Sequence, residues 1–448
     1  MTKVDVNQVI DSASVRGLPL LVIIIATVVL TLDGLDIQII SLAAPLLSRD
    51  FHVAPPALGP VLAAALVGMA LGGFALGAMG DAWGRRPILA LSVALFAAAT
   101  LLSAGASDVS ILTVWRFVTG IGLGGAIPNV MALLAEFTPP RWRTHAIAAA
   151  VIGVPVGGTG GAVIAAQILP HMGWRPLFVV GGLLPALALL AIWLLLPESP
   201  RFLATRPQRR EALAALLNRL VGAGRYSAAD EFELSERVLE KRQTRLGVLL
   251  AGPVRRETLA LWLIFLTNMF MIFTFFSWTP VILRSLSLSL EVAVRGSLIF
   301  NLAGVCGGVA AAWLVFRFGS RWPGLLLSVI GIVALALISG LLSVASHTGA
   351  PLDVAVLMSE IAAVGFAMIG IQTIAYRLST HLYPTTIRSS GVGWAAGAGR
   401  VGGILSSLIA GWLYVRFQGP GLFAILACVV AATLVCLLGL RRHMVAAQ

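Results

Sequence analysis

The sequence predicts an all-α polytopic membrane protein with twelve transmembrane helices in two bundles of six. Hydrophobic residues make up 58% of the 448 residues and charged residues only 11%, against roughly 25% charged residues in soluble domains. Apolar runs of 18 or more residues recur along the whole chain, and each run of that length is a candidate membrane-spanning helix. The short alternating segments of membrane β-barrels do not occur in the sequence.

Twelve apolar segments account for these helices, each long enough at 1.5 Å per residue to cross a hydrocarbon core of about 30 Å. Their approximate spans are 18–43, 57–79, 88–106, 111–134, 145–168, 174–196, 257–282, 293–316, 322–345, 352–378, 386–414 and 420–440. The first residues include acids and no cleavable signal pattern, so we expect the first segment to act as its own insertion signal.

The net charge of +12 follows the topology and does not indicate a nucleic-acid partner. Most of the Lys and Arg residues fall in alternate connectors, as the positive-inside rule expects for cytoplasmic loops. The outer connectors hold only Arg49, Arg175, Arg284, Arg295 and Arg416. This asymmetry predicts a multi-pass protein of the inner (plasma) membrane with both termini in the cytoplasm.

One long polar stretch divides the chain. We expect an N-terminal six-helix bundle at 1–196, a cytoplasmic linker at 197–256 and a C-terminal six-helix bundle at 257–448. Within the linker, 211–220 and 231–240 have the periodicity of short amphipathic helices. A solvated linker with surface helices is favoured over a ligand-binding domain.

The connectors of the two halves repeat. D-A-W-G-R-R-P (81–87) corresponds to F-R-F-G-S-R-W-P (316–323), and E-F-T-P-P-R-W-R (136–143) corresponds to H-L-Y-P-T-T-I-R (381–388). Two similar halves of six helices indicate a duplicated transporter, and such folds place the substrate site near the midplane between the repeats.

Several motifs resemble those of the major facilitator superfamily. G-A-M-G-D-A-W-G-R-R-P (77–87) is similar to its pattern between helices 2 and 3, and L-P-E-S-P-R-F-L (196–203) is similar to a motif of sugar porters. Three further stretches resemble the aromatic acid:proton symporter family. These are D-G-L-D (33–36), R-F-V-T-G-I-G-L-G-G-A-I-P-N (116–129) and Y-P-T-T-I-R-S-S-G-V-G-W-A-A-G-A-G-R-V-G-G-I (383–404). The chain departs from the superfamily pattern at Ala82 and Phe316, and Glu360 is an acid that the family pattern does not explain.

Asp33 and Asp36 lie inside the first apolar segment, where a carboxylate costs at least ~2.5–3.5 kcal/mol on insertion scales. Their spacing places both on one helical face, which we expect to border an aqueous cavity. Gly34 between them is expected to let a neighbouring helix or the substrate approach closely. Either acid is a candidate carrier of the coupling proton while the other is structural. The alternative is that both are structural and hydrogen-bonded to neighbouring helices.

Two arginines lie within apolar segments. Arg116 is at a similar depth to Asp36, because the first and fourth segments run in opposite directions, so it is expected to face the two aspartates or the substrate. Arg400 lies near the middle of the eleventh segment, and a guanidinium binds carboxylates through paired donors. The alternatives are an interfacial Arg116 whose head reaches the surface and a static ion pair for Arg400.

A pocket for an aromatic ring needs flat apolar walls with a few polar anchors. The seventh segment supplies Asn268 and Trp278, and the tenth supplies Gln372 and Tyr376. Polar atoms need partners in lipid, so these four residues are predicted to contact substrate.

Opposite charges at adjacent helix ends predict a gate on the cytoplasmic side, with Asp81 opposite Arg85 and Arg86 and with Glu136 opposite Arg143. Its expected members are Gly77, Asp81, Gly84, Arg85, Arg86, Glu136, Arg143 and Arg388. The glycines permit close backbone approach. The alternative is that these charges only set the membrane topology. The positive-inside rule would account for the arginines but not for the acidic residues beside them.

Other functional classes find no support in the sequence. G-I-G-L-G-G (120–125) matches a dinucleotide-binding pattern, but it lies within a membrane segment and is expected to serve helix packing. There is no Walker A sequence, no cluster of metal-ligand residues and no cofactor motif, and the three cysteines lack metal-ligand spacing. The protein is therefore not expected to be an enzyme.

The resemblance implies a secondary transporter, presumed monomeric, that imports a small aromatic carboxylate together with protons by alternating access. A carrier of nicotinate, sugar or another organic anion, and a drug/proton antiporter, remain alternatives on the same fold. A non-transporting sensor would need a signalling domain, for which the linker is small.

Overall fold

The computed structural model confirms a predominantly helical architecture with many membrane-length helices. It describes residues 3–222, 224–234, 249–250, 254–286, 288–348, 351–383 and 387–444, without the side chains of Arg388 and Ser389. Within these residues, 11 helices are long and apolar enough to cross a membrane.

The long helices follow the predicted segments, most of them extended by a few residues at either end. They are α2 (Leu18–Asp50), α3 (Gly59–Trp83), α4 (Arg85–Ser103), α5 (Val109–Phe137), α6 (Pro140–Met172), α7 (Arg175–Leu195), α10 (Arg255–Ser285), α11 (Leu290–Phe318), α12 (Arg321–Thr348), α13 (Val354–Leu382) and α14 (Arg388–Gly439). The shorter helices are α1 (Val6–Ser12), α8 (Pro200–Ala204) and α9 (Arg210–Val221). Single 3₁₀ turns occupy Pro55–Leu58 and Pro207–Arg209.

Twelve predicted segments become eleven elements because the last two are continuous in α14. The break between them is a single residue, Gln418, with φ 55° and ψ −172°. Pro420 follows two residues later and supplies no backbone N–H. The chain therefore turns sharply at Gln418 without a separate loop, close to the boundary that the sequence predicts.

Local signals in the sequence explain where several helices begin. Asp108 accepts hydrogen bonds from the backbone N–H groups of Ser110 and Ile111 at the start of α5. Asp353 and Ser289 cap α13 and α11 in the same way. Such caps satisfy backbone donors that have no partner within the helix. Gly84, with φ 110°, separates α3 from α4 in a conformation that favours glycine.

The chain forms two compact contact units. The first unit comprises Met1–Ile39, Val67–Gly161 and His171–Leu239, and the second comprises Ile40–Leu66, Ala162–Pro170 and Glu240–Gln448. Each unit thus contains most of the helices of one half of the chain, and the second also includes one end of α2, of α3 and of α6. The predicted division at 196 and 257 remains a prediction about domains.

Glycines bring helices of the first unit close together. In the G-I-G-L-G-G stretch, a Cβ on Gly122 would meet the backbone of Phe96 in α4, and one on Gly124 would meet the backbone of Met69 in α3. The stretch lies wholly within α5, so the expected role of its glycines in helix packing is confirmed.

The linker packs with the N-terminal segment. Strand β1 (Lys3–Asp5) pairs in parallel with β2 (Glu231–Glu233), and Lys3 Nζ lies 2.7 Å from Glu233 Oε1. Behind the strands, the apolar faces of α1 and α9 belong to one buried cluster with the ends of the long helices. The helix expected at 211–220 is confirmed as α9.

The prediction of a second linker helix at 231–240 is wrong for 231–234, because Glu231–Glu233 form β2 and Leu234 is not helical; residues 235–240 lie outside the described residues. Alternation of Phe232 between two glutamates suits an extended strand once β1 supplies a pairing edge. The described part of the linker, through Leu234, is therefore packed in part against the N-terminal segment.

Candidate functional site

Arg116 and Asp36 form a buried ion pair inside the first unit. Arg116 Nη1 lies 2.8 Å from Asp36 Oδ1, and Arg116 Nη2 lies 2.6 Å from Asp36 Oδ2. Both side chains are about 1% exposed. Paired N–H donors match the two carboxylate oxygens and give a strong, directional contact. The contact joins α2 to α5 at the depth that residue counting along the two helices indicates.

Asp33 lies one helical turn before Asp36 and is 6% exposed. The helix therefore carries two buried carboxyl groups on one face, and the guanidinium of Arg116 contacts the second of them. The roles of Asp33, Asp36 and Arg116 in proton coupling and substrate binding remain predictions.

Gly34, between the two aspartates, lies directly against α6. A Cβ at Gly34 would overlap the backbone carbonyl of Val154, and one at Gly157 would overlap the backbone of Thr31. The expectation that Gly34 lets a neighbouring helix approach is confirmed. This close approach holds the acid-bearing face of α2 in place.

The Gly34→Ala variant is expected to be less stable than the wild type. Its methyl group must push α2 away from the Val154 backbone, and overpacking of this kind costs about 1–3 kcal/mol. Thermal unfolding of the purified protein measures the effect. Gly160→Ala in α6 is the matched control, because no atom lies within 4 Å of a Cβ there. Equal unfolding temperatures for the two variants would contradict the packing argument.

A second polar cluster lies within the second unit. Asn268 Nδ2 in α10 donates to Gln372 Oε1 in α13 at 2.8 Å and to the carbonyl of Met368 at 3.1 Å. The Tyr376 hydroxyl lies beside Gln372 and within the electrostatic influence of Arg400. Three of the predicted substrate-binding residues of this half therefore lie together with Arg400.

Two of these four side chains, Asn268 and Gln372, are buried, and the other two, Tyr376 and Arg400, are exposed. Asn268 and Gln372 are 1% and 8% exposed, and Asn268 Oδ1 and Gln372 Nε2 have no hydrogen-bond partner among the described residues. Tyr376 is 41% exposed and Arg400 is exposed. A phenol ring and a cation are accessible, with an unsatisfied acceptor and donor behind them.

Trp278 is not part of this cluster. It lies ten residues beyond Asn268 along α10, which is about 15 Å along the helix axis. Its side chain is fully buried and occupies the space over Gly411 of α14, where a Cβ would overlap the indole ring. The structure thus gives Trp278 a packing role, and its predicted contact with substrate remains a prediction.

Glu198 belongs to a charged cluster at the arginine-rich ends of α3, α4, α5 and α7, where it accepts several backbone hydrogen bonds. Its Oε1 accepts hydrogen bonds from the backbone N–H groups of Arg85 at 2.9 Å, Arg86 at 3.2 Å and Ser199 at 2.8 Å. A carboxylate in this position satisfies the first donors of α4 and is stabilised by its helix dipole. The 77–87 motif is therefore tied to the segment that follows α7.

The other acids of the cluster share Arg85. Its guanidinium pairs with Asp81, and its Nε lies 3.9 Å from Glu136 Oε1. Glu136 also accepts a hydrogen bond from the Ser199 hydroxyl. Gly80 and Gly77 lie against Asn129 and Pro128 of α5. These contacts join the four helix ends and the segment after α7 into one charged cluster.

Two expected pairings differ in the structure. Arg86 donates to the carbonyl of Trp193 at 2.5 Å and lies over its ring, where the sequence suggests a pairing with Asp81. Arg143 Nη2 lies 3.5 Å from the carbonyl of Thr138, while Glu136 contacts Ser199 and Arg85. The side chain of Arg388 lies outside the described residues. The gating role of the predicted set remains a prediction.

Sequence reasoning missed Glu198 and Ser199 as members of this cluster. The signal was present, because both belong to the L-P-E-S-P-R-F-L motif that follows α7. What the motif alone does not give is the partner, since the contacts join residues more than 100 positions apart in the chain.

Replacing Glu198 by Ala should destabilise the cluster strongly. Three backbone donors lose a charged acceptor, and hydrogen bonds to charged groups contribute about 1.5–3 kcal/mol each to stability. Glu198→Gln keeps an acceptor oxygen and should lose only the ~0.3–1 kcal/mol of the charge–dipole contact. Apparent unfolding temperatures in detergent rank the variants, with the exposed Glu211→Ala as control. An unfolding temperature of Glu198→Ala equal to that of the control would contradict the assignment.

Among the described residues, no group of three or more His, Cys, Asp or Glu side chains could hold a metal ion. The three cysteines are free.

Comparisons with known proteins agree with the helical architecture. Residues 26–380 match the family described as Major Facilitator Superfamily. A gallate transporter of Pseudomonas putida is 34% identical over 94% of this chain and 92% of its own length. The 4-hydroxybenzoate transporter PcaK of Pseudomonas aeruginosa is 30% identical over 98% of this chain and 97% of its own length.

Among solved structures, the xylose transporter XylE from E. coli, in a partially occluded inward open conformation, superposes with a TM-score of 0.71. The match covers 96% of this chain and 99% of that chain at 20% identity. At this identity the likeness concerns the fold alone.

Proposed function

The chain belongs to the Major Facilitator Superfamily, with aromatic acid transporters among its relatives, and we propose that it imports a small hydroxylated aromatic carboxylate together with protons. It is a multi-pass membrane transport protein and not an enzyme. The proposal adds the substrate class, the proton coupling and the alternating-access mechanism. We also propose that it resides in the inner membrane with both termini in the cytoplasm.

The Asp36–Arg116 pair is the observation that carries the proposal. Both groups are buried and both carboxylate oxygens are engaged. A proton delivered to Asp36 removes the charge that holds Arg116, which frees the guanidinium for a substrate carboxylate. Departure of the substrate then leaves Arg116 free to recover Asp36 and expel the proton. Proton and anion would thereby be taken up together. Asp33, one turn away, is the second candidate for carrying the proton.

The cluster of the second unit supports the choice of an aromatic acid. Arg400 is the alternative to Arg116 as the cation for the substrate carboxylate, and Tyr376 offers a ring for stacking. A hydroxyl group can donate a hydrogen bond, so it would match the unsatisfied Asn268 Oδ1. Relatives that carry gallate and 4-hydroxybenzoate handle ring hydroxyls as well as a carboxylate. We therefore expect hydroxylated benzoates to be preferred over benzoate.

Uptake into proteoliposomes tests the proposal. Radiolabelled 4-hydroxybenzoate should accumulate when the outside is acidic, and an uncoupler should abolish the accumulation. Competition by gallate, benzoate and nicotinate then ranks the substrates. Accumulation that persists with the uncoupler would contradict proton coupling. Export driven by the same gradient would instead support a proton antiporter.

A further inference from the structure

Two hollows adjoin on the surface of the first unit, where the end of α7 meets α4 and α9. The apolar groove has a volume of about 600 Å³, and the arginine hollow has a volume of about 430 Å³. The apolar groove is lined by Pro87, Ala90, Leu91, Ala186, Leu190 and Trp193. The arginine hollow is lined by Arg86, Arg209, Arg219, Leu194, Ala212 and Glu198, among others.

The two hollows meet end to end along both flanking segments. Arg86 lines the arginine hollow and Pro87 the apolar groove, while Trp193 lines the groove and Leu194 the hollow. Trp193 and Leu194 are 65% and 68% exposed at the end of a membrane-length helix. Exposed tryptophan is typical of the level of lipid headgroups. The groove therefore runs into the hydrocarbon and the hollow opens at the headgroup level.

The arginine hollow has an excess of positive charge. Three arginines line it against one acid, Glu198, and the carboxylate of Glu198 is already occupied by backbone donors of α4. Guanidinium groups bind phosphate through paired N–H donors. The charge of the hollow thus complements a phosphate, and the apolar groove beside it complements an acyl chain.

Helix α9 and the residue before it supply two of the three arginines that line the arginine hollow. Arg209 is the residue before the helix, and Ala212, Leu216 and Arg219, spaced at i, i+4 and i+7, share one helical face. Arg209 and Arg219 are exposed, and the small side chain of Ala212 leaves room between them.

We infer that the arginine hollow and the apolar groove together bind one anionic phospholipid. Its phosphate lies among Arg86, Arg209 and Arg219, and an acyl chain follows the groove between α4 and α7. A zwitterionic lipid has the same phosphate, but its cationic headgroup offsets the attraction of the three arginines, so it should bind more weakly. Because the backbone of Arg86 is bound by Glu198, the lipid would touch the same turn as the charged cluster of the helix ends.

Native mass spectrometry of the delipidated protein tests this inference. The protein is titrated with phosphatidylglycerol and with phosphatidylcholine of identical chains. Each basic residue near an anionic lipid contributes about fivefold to binding, so Arg209→Gln/Arg219→Gln should weaken phosphatidylglycerol binding roughly twenty-five-fold. Arg210→Gln/Arg225→Gln removes the same charge outside the hollow and should bind as the wild type does.

A charge-neutral variant makes the test independent of general electrostatics. Ala212→Phe fills the hollow and should also displace phosphatidylglycerol, while circular dichroism verifies that the helices are intact. Equal binding of the two lipids by the wild type would overturn the inference, as would equal losses in the two double-arginine variants. Unchanged phosphatidylglycerol binding by Ala212→Phe would overturn it as well.

Discussion

Asp36→Asn is expected to abolish proton-driven uptake while the folded protein remains in the membrane. A neutral amide cannot take up and release the coupling proton, and it binds Arg116 without a charge. If the charge-assisted contact contributes ~2.7 kcal/mol to the transport cycle, uptake should fall roughly a hundredfold. Initial rates in proteoliposomes with an acidic outside measure this loss, and Asp33→Asn in parallel separates the two acids.

Stability must be measured alongside transport, because the same substitution leaves a buried cation without its partner. Breaking a buried ion pair costs about 3–5 kcal/mol. The double variant Asp36→Asn/Arg116→Gln removes both charges and should recover much of the lost stability, but not the uptake. If uptake returns together with stability, the pair is only structural. If Asp36→Asn and Asp33→Asn both retain full coupled uptake, neither acid carries the proton.

Arg400→Gln is expected to weaken substrate binding most among the exposed cations of the second unit. A carboxylate held by paired guanidinium donors loses a contact worth ~1.5–3 kcal/mol, so its apparent affinity should fall roughly ten- to a hundredfold. Arg400→Lys keeps the charge but offers no planar pair of donors, and its apparent affinity should fall about tenfold. Thermal-shift titrations with 4-hydroxybenzoate report this directly, since a ligand that binds the folded state raises its apparent stability.

Arg416→Gln is the matched control, because Arg416 is exposed on the same helix as Arg400 and belongs to neither cluster. It should bind 4-hydroxybenzoate as tightly as the wild type does. A wild-type affinity for Arg400→Lys would show that Arg400 does not grip the carboxylate through two donors. Equal losses for Arg416→Gln and Arg400→Gln would indicate only a general effect of charge.

The sequence predicts most of the transmembrane architecture because lipid permits few alternatives. A helix must satisfy its own backbone in hydrocarbon, so apolar length alone locates the long helices to within a few residues. The contact between Asp36 and Arg116 could be predicted for the same reason. Counting residues along two antiparallel helices gives the depth of each side chain in the membrane, and these two side chains lie at a similar depth. The close approach at Gly34 could also be predicted, because a glycine between two acids in a membrane helix lets a neighbouring helix or the substrate lie close to the backbone.

Contacts outside the hydrocarbon were harder to predict. Water satisfies a loop backbone as well as a protein partner does, so no local pattern reveals that Glu198 caps α4 or that Phe232 lies in a strand. The Asn268–Gln372 bond was missed for a related reason: both residues were chosen for polarity alone. Their bond depends on how α10 rotates against α13, and a single sequence does not fix this rotation.

The pairing of β1 with β2 has a consequence for biosynthesis. Lys3 leaves the ribosome among the first residues, but its partner Glu233 is made 230 residues later. At 5–20 residues per second, the wait is roughly 10–50 s. Throughout that time the first helices can enter the membrane while the N-terminal strand lacks its edge. Closing so long a loop comes late in folding, so the strand pair completes only after six long helices have been made.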